Sequence, residues 1–307
     1  MLPYRSAAPL LAKCTERSTA VFRFKSVILC WVLLWSAPVF SGSNPLSVVT
    51  SVQPLKWLVE QVGGEAVEAR ALVGPAQSPA TYEPTPRQMA SLAQARLYVR
   101  VGVPFEHAWL DRIVAAAPGM SVLDLSDALE LRPLEPSDHH HGKGPGGPDP
   151  HVWTSPANLV QMAGALRDRL VLLDLAHESI YRGNHERLVG ELEALDREIR
   201  DRLAAAGARR FLVYHPSWGY FSDTYGLEQI PIEREGKAPG PRSLAGLIDR
   251  ARSEGLKTIL VQRQFDQRSA GAVADAIGAR VCTVDPLAYD LPASLREAAD
   301  CIGGASP

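Results

Sequence analysis

From about Ala176 to Ala206 the chain runs without proline, and only Gly183 and Gly190 interrupt it. Within that stretch Leu188, Leu192, Leu195, Ile199 and Leu203 recur at spacings of 4, 3, 4 and 4, the stripe that one face of a helix presents. Its other faces are crowded with Glu, Asp and Arg. At ~1.5 Å per residue such a helix runs roughly 45 Å, enough to cross the back of two small lobes. It is equally compatible with a surface helix of one domain.

Short β-rich runs alternate with helical stretches on either side of it. Strands are expected at Ser47–Ser51, Arg70–Val73, Leu97–Val101 and Val122–Leu125, then at Phe211–Tyr214, Gln229–Ile232, Thr258–Val261 and Val281–Val284. Helices are expected at Pro54–Val62, Pro86–Ala93, Glu106–Ala116, Ser243–Ser253 and Ala270–Ile277. Another starts at Pro156 behind an N-cap at Ser155. Such alternation means parallel sheets covered by helices. The fold class is therefore α/β, with two lobes of four-stranded parallel sheet flanked by helices and joined by one long rigid helix. The expected divisions are an N-terminal lobe over 43–172, a linking helix over 173–207 and a C-terminal lobe over 208–307.

The first 42 residues read differently. Arg23 and Lys25 precede an apolar run from Val27 to Trp35, and small residues follow from Ser36 to Gly42, the pattern of an export signal. That run falls short of the ~20 residues a spanning helix needs. Residues 1–20 look like an upstream extension, and an uncleaved anchor is the competing reading. Cleavage removes Cys14 and Cys30 and leaves Cys282 and Cys301. In an oxidising compartment these two form a disulfide or remain as buried thiols. Net charge is −2, which gives no footprint for nucleic acid.

Three motifs carry candidate ligands: Asp149-Pro150-His151-Val152-Trp153, the run from Tyr214-His215 to Phe221, and Asp285-Pro286-Leu287. A fourth segment, Ser78-Pro79-Ala80-Thr81-Tyr82-Glu83-Pro84, has the surroundings of a ligand loop without a ligand at Ala80. Open α/β sheets bind beyond the carboxyl ends of their strands, so all four belong at a cleft between lobes. His151, His215 and Asp285 form a set suited to Zn2+, with Mn2+ or Fe2+ as alternatives, and no cysteine points to copper(I). The segment 138–149 contains His139, His140 and His141 among Gly and Pro. It is a loop by composition, either an auxiliary metal loop or a solvated one.

These motifs, their order and their aromatic surroundings resemble the cluster A-I metal-binding proteins of bacterial ABC importers, the ZnuA/TroA-like family. The resemblance covers nearly all of residues 46–303. Histidine at 215, the histidine loop and the C-terminal cysteine pair resemble the zinc branch. The resemblance implies a metal held between two lobes by His151, His215 and Asp285, and delivery to a membrane permease and its ATPase. The family has histidine where this chain has Ala80. Water, Glu83 as a fourth ligand, or a histidine from 139–141 are the candidate replacements.

The expectation is a monomeric, soluble periplasmic protein that captures zinc for an ABC importer and is not an enzyme. A metal-binding adhesin or sensor with a weakened site is the alternative. A zinc hydrolase is a further one, with Glu83 the local candidate for a general base. Trp153, Trp218, Tyr82 and Tyr220 are expected to wall the site, and Arg242 or Arg263 to hold Asp285. Glu233 and Glu235 are expected to face either the cleft or solvent.

Overall fold

The computed structural model describes residues 44–134, 147–233, 239–265 and 267–304. The expected export signal, the histidines 139–141 and Glu235 lie outside them. Among the described residues eight strands form two sheets. The first contains β1 (Leu46–Thr50), β2 (Val67–Ala71), β3 (Leu97–Arg100) and β4 (Ser121–Asp124), in the order β2-β1-β3-β4. The second contains β5 (Arg210–Val213), β6 (Glu228–Pro231), β7 (Thr258–Val261) and β8 (Arg280–Thr283), in the order β6-β5-β7-β8. Every pairing is parallel. The two lobes thus repeat one topology without an obvious sequence repeat. In each, the order reverses between the first and third strands, which opens a crevice at their carboxyl ends.

The central strands are mostly apolar because both faces are covered; β7 is buried at every residue. The edge strand β2 alternates, with Val67 and Ala69 buried and Glu68 and Arg70 exposed. Those charges hide its start, so the strand begins three residues before the expected Arg70. Leu72 and Val73 still donate to Thr50 and Ser51. β4 and β8 likewise each begin one residue earlier than expected.

Helices α1 (Gln53–Gly63) and α3 (Pro104–Ala116) flank the first sheet, and the short α2 (Pro86–Ser91), which buries no residue, packs beside α3. Each starts with proline at its first or second position, where the missing N–H costs nothing. Then α4 (Pro156–Leu173) and α5 (Glu178–Ala206) pack against one another. The helix expected between the lobes is α5, and Asp174 separates it from α4 by leaving the helical region, with φ −151° and ψ 75°. Its Oδ2 then accepts from Tyr181 and contacts His177 Nδ1, closing the turn into α5.

α5 has 29 residues and buries Leu188, Leu192, Leu195, Ile199 and Leu203, the stripe read from sequence. Its first half holds the end of α1, where Asn184 and Arg187 donate to the carbonyls of Val62 and Gln61. Its last half holds α9 (Leu291–Ile302), through Glu198 to Arg296 and Arg202 to Asp300. The remaining helices, α6 (Gly219–Tyr225), α7 (Pro241–Ser253) and α8 (Gln267–Ile277), belong to the second lobe. One apolar core runs from Val48 in β1 through α5 to Phe211 in β5 and Leu295 in α9. Cys282 of β8 and Cys301 of α9 form the disulfide, with Cα atoms 6.4 Å apart.

Candidate metal centre

His215 stands two residues beyond the end of β5, at the point where the second sheet reverses order. Its backbone is held from the neighbouring strand's end: Gln262, just past β7, donates Nε2 to the His215 carbonyl at 2.9 Å and to Ser217 Oγ at 2.7 Å. On the other side, Gln229 of β6 accepts from the Trp218 N–H. The imidazole stacks on Phe265 with centroids 5.1 Å apart. Its Nδ1 lies 2.5 Å from Oε1 of Glu233, a carboxylate only 3% exposed just past β6.

His151 comes from the segment that leads into α4. Its Nδ1 lies 2.7 Å from Oδ1 of Asp149, which also accepts the His151 backbone N–H at 3.0 Å. Asp149 is fully buried. Burial alone pushes its carboxyl up, but the charge and hydrogen bonds of His151, together with Arg132, hold it below the usual carboxylate range. Trp153 meets the His151 ring edge-on at 5.6 Å and donates Nε1 to the Pro286 carbonyl at 2.7 Å.

The two imidazoles approach each other edge to face, with centroids 5.3 Å apart. A carboxylate can only accept here, so each Nδ1 carries a proton, and Nε2 is the ring nitrogen left for a ligand. This is how a metal-ligating histidine is commonly oriented, and the backing carboxylate raises the ring's basicity.

Asp285 follows β8 on the same edge. Its Oδ1 accepts from Gln264 Nε2 at 3.1 Å and from the Leu287 N–H at 3.0 Å. Gln264, rather than Arg242 or Arg263, holds it; both arginines are exposed. An amide donor beside the carboxylate fixes its direction without neutralising its charge. Among the described residues, no three His, Cys, Asp or Glu side chains converge as a complete ligand set. What has converged is the histidine pair.

The Ala80 loop keeps its architecture. Phe105, in the first turn of α3, donates its N–H to the Pro79 carbonyl at 3.2 Å, and Tyr82 packs edge-on against the Phe105 ring at 5.1 Å. A capping box between Thr85 and Gln88 ends the loop. Ala80 and Glu83 are exposed. Beneath this loop the crevice of the first sheet is filled by Glu106, which is fully buried and accepts from Ser51 Oγ, Arg100 Nε and the Gly102 N–H.

Of the aromatic residues expected as walls, Trp153 touches a candidate ligand directly. Trp218 is fully buried against Phe221. Tyr220 bridges the two histidine segments from behind, donating to the Asp149 carbonyl at 3.0 Å. Sequence reasoning placed Glu233 at the cleft or in solvent, and it lies buried behind His215. It gave no role to Asp149, although an acid two residues before a histidine is a local signal for one. Gln262 and Gln264 carried no such signal.

A helix-braced pair of α/β lobes with histidines at the crevice defines a two-lobed binding protein of the metal-uptake class. A model of the family of the periplasmic component A of the zinc-uptake complex, ZnuA, matches residues 48–296. The chain belongs to that family. It is similar to the high-affinity zinc uptake system protein ZnuA of Bacillus subtilis (strain 168), 26% identical over 258 residues that cover 80% of each chain. A crystal structure of ZnuA superposes with a TM-score of 0.78 at 36% identity, covering 85% of this chain and 99% of that one. The laminin-binding protein Lmb of Streptococcus agalactiae, a bifunctional protein with adhesin and metal transporting activity, gives 0.73 at 25% identity, covering 84% and 100%.

Proposed function

We propose that this chain is the periplasmic zinc-capturing component of an ABC importer, with His151, His215 and Asp285 as metal ligands. The observation that carries the reading is the histidine pair at the crevice, each ring directed by its own buried carboxylate. Two imidazole nitrogens and one carboxylate suit Zn2+, with Mn2+ a weaker competitor. Asp285, just past β8 at the carboxyl end of the same sheet as His215, is the third ligand of this reading. Water takes the position left by Ala80, or Glu83 does.

Residues 1–42 act as the export signal, and 43–172 and 208–307 act as the two lobes of a monomer that docks on a permease and its ATPase. Among the described residues no helix is long and apolar enough to cross a membrane. A binding role rather than hydrolysis fits the site. The expected general base, Glu83, is exposed, and the buried carboxylates Asp149 and Glu233 are occupied with the histidines.

The test is a competition titration with Zn2+ and Mn2+ beside an Ala80→His variant. One zinc bound at nanomolar or tighter affinity, little changed by the added histidine, supports capture for import. Micromolar or absent binding that histidine restores means a disabled site, and import no longer leads.

A further inference from the structure

A single guanidinium spans the two segments that carry the histidines. Arg132 donates Nη1 to Oδ2 of Asp149 at 3.0 Å, on the carboxylate whose other oxygen holds His151. Its Nε donates to Oδ2 of Asp223 at 2.9 Å, on α6, the helix that begins four residues after His215. The Arg132 N–H donates to the Tyr220 hydroxyl, and that hydroxyl donates to the Asp149 carbonyl. Room for the guanidinium depends on a missing side chain. A Cβ on Gly219 would fall 1.6 Å from Arg132 Nη1 and 2.8 Å from Asp149 Oδ2.

We infer that Arg132 is a positioning residue that sets metal affinity by fixing the separation of the His151 and His215 segments. It touches neither imidazole. Through Asp149 it holds the direction of one ring, and through Asp223 it ties that ring's segment to the helix behind the other. The bond geometry requires a planar fork, since the two carboxylates are met by different nitrogens of one group. A lysine ammonium has a single nitrogen and cannot reproduce that span. The inference rests on the zinc-capture reading above.

The experiment is a zinc competition titration of the full chain with Arg132→Met, Arg132→Lys, Gly219→Ala and Asp223→Asn, read beside thermal unfolding. Arg132→Met and Gly219→Ala are expected to raise the dissociation constant about 10–100-fold, the usual cost of losing an outer partner of a ligand. Arg132→Lys recovers part of that loss, and Asp223→Asn gives a smaller rise in the same direction. Lower melting temperatures with an unchanged dissociation constant would overturn the inference and leave Arg132 a purely structural brace. Should Arg132→Met fail to fold, Gly219→Ala and Asp223→Asn decide the matter, because Asp223 is 59% exposed.

If the parent chain binds no zinc, the capture reading falls, and nitrogen NMR of the metal-free chain decides the brace alone. Distinct Nδ1–H and Nε2 signals for His151 in the parent, averaged in Gly219→Ala, support it. Identical signals in both overturn it.

Discussion

His151 and His215 meet with their rings 5.3 Å apart and turn their Nδ1 atoms toward different carboxylates, Asp149 and Glu233. The pairing is set from outside the pair. Each ring is fixed by an acid on its own side of the crevice, so the free Nε2 atoms are directed before any ion arrives. Preorganisation of that kind lowers the ordering cost of binding.

His151→Ala and His215→Ala should each weaken zinc binding by more than the roughly 10–100-fold typical of an outer partner. The double variant should be little worse than either single one, because two ligands of one ion act as a unit. Competition against a chromogenic chelator checks this. Additive losses would mean that the two rings do not share an ion.

Glu233→Gln should keep a hydrogen-bond acceptor for His215 while removing the charge behind it. Zinc affinity should drop about tenfold with little change in thermal midpoint. The same titration, with unfolding followed by circular dichroism, separates lost basicity from lost fold.

Two buried acids give opposite pH signatures. Burial raises Glu106 above 4.5, although Ser51, Arg100 and Gly102 oppose the rise. Its contribution is therefore full below 4.5 and is lost as pH rises through the raised value. Asp149 is depressed below 3.8, so its contribution is present above 3.8 and is lost as pH falls through the depressed value. Thermal midpoints between about pH 3 and 7 should show the parent gaining on Glu106→Gln as acid is added. Against Asp149→Asn the parent's advantage should shrink at the acid end. The opposite slopes would contradict both assignments.

Removing the bridge between Cys282 and Cys301 should cost about 2–4 kcal/mol, the usual range for a native disulfide. The double serine variant, or the parent in reductant, should unfold at lower denaturant concentration, with a slope at least as steep because the unfolded chain loses its cross-link and exposes more surface.

Much of this architecture was legible because burial leaves periodic marks. The stripe from Leu188 to Leu203 is apolar at helical spacing because it lies on the common core, and β7 reads as a strand because both its faces are covered. The start of β2 was not legible, since Glu68 and Arg70 point to solvent from an edge. The turn at Asp174, between α4 and α5, contains neither glycine nor proline and is closed by local bonds from His177 and Tyr181. At the site, the motifs revealed both histidines, but not what stands behind them. Glu233 lies 18 residues from His215 and Arg132 lies 91 from Asp223. No local pattern records such pairings. The expectation that Arg242 or Arg263 would hold Asp285 failed for the same reason: charge complementarity suggested a cation, and the fold supplied the amide of Gln264.

The helix α5 has a kinetic consequence. With the ends of α1 and α9 both fastened to it, and one apolar cluster reaching both sheets, a clamshell opening would have to break contacts along the length of the helix. Movement is left to the short segments at the mouth. An ion seated there would have a long residence time, because escape requires several bonds to break without help from a wide swing. The pace of hand-over would then be set by whatever docks against the mouth and prises those segments apart, so turnover would belong to the receiver and not to the carrier.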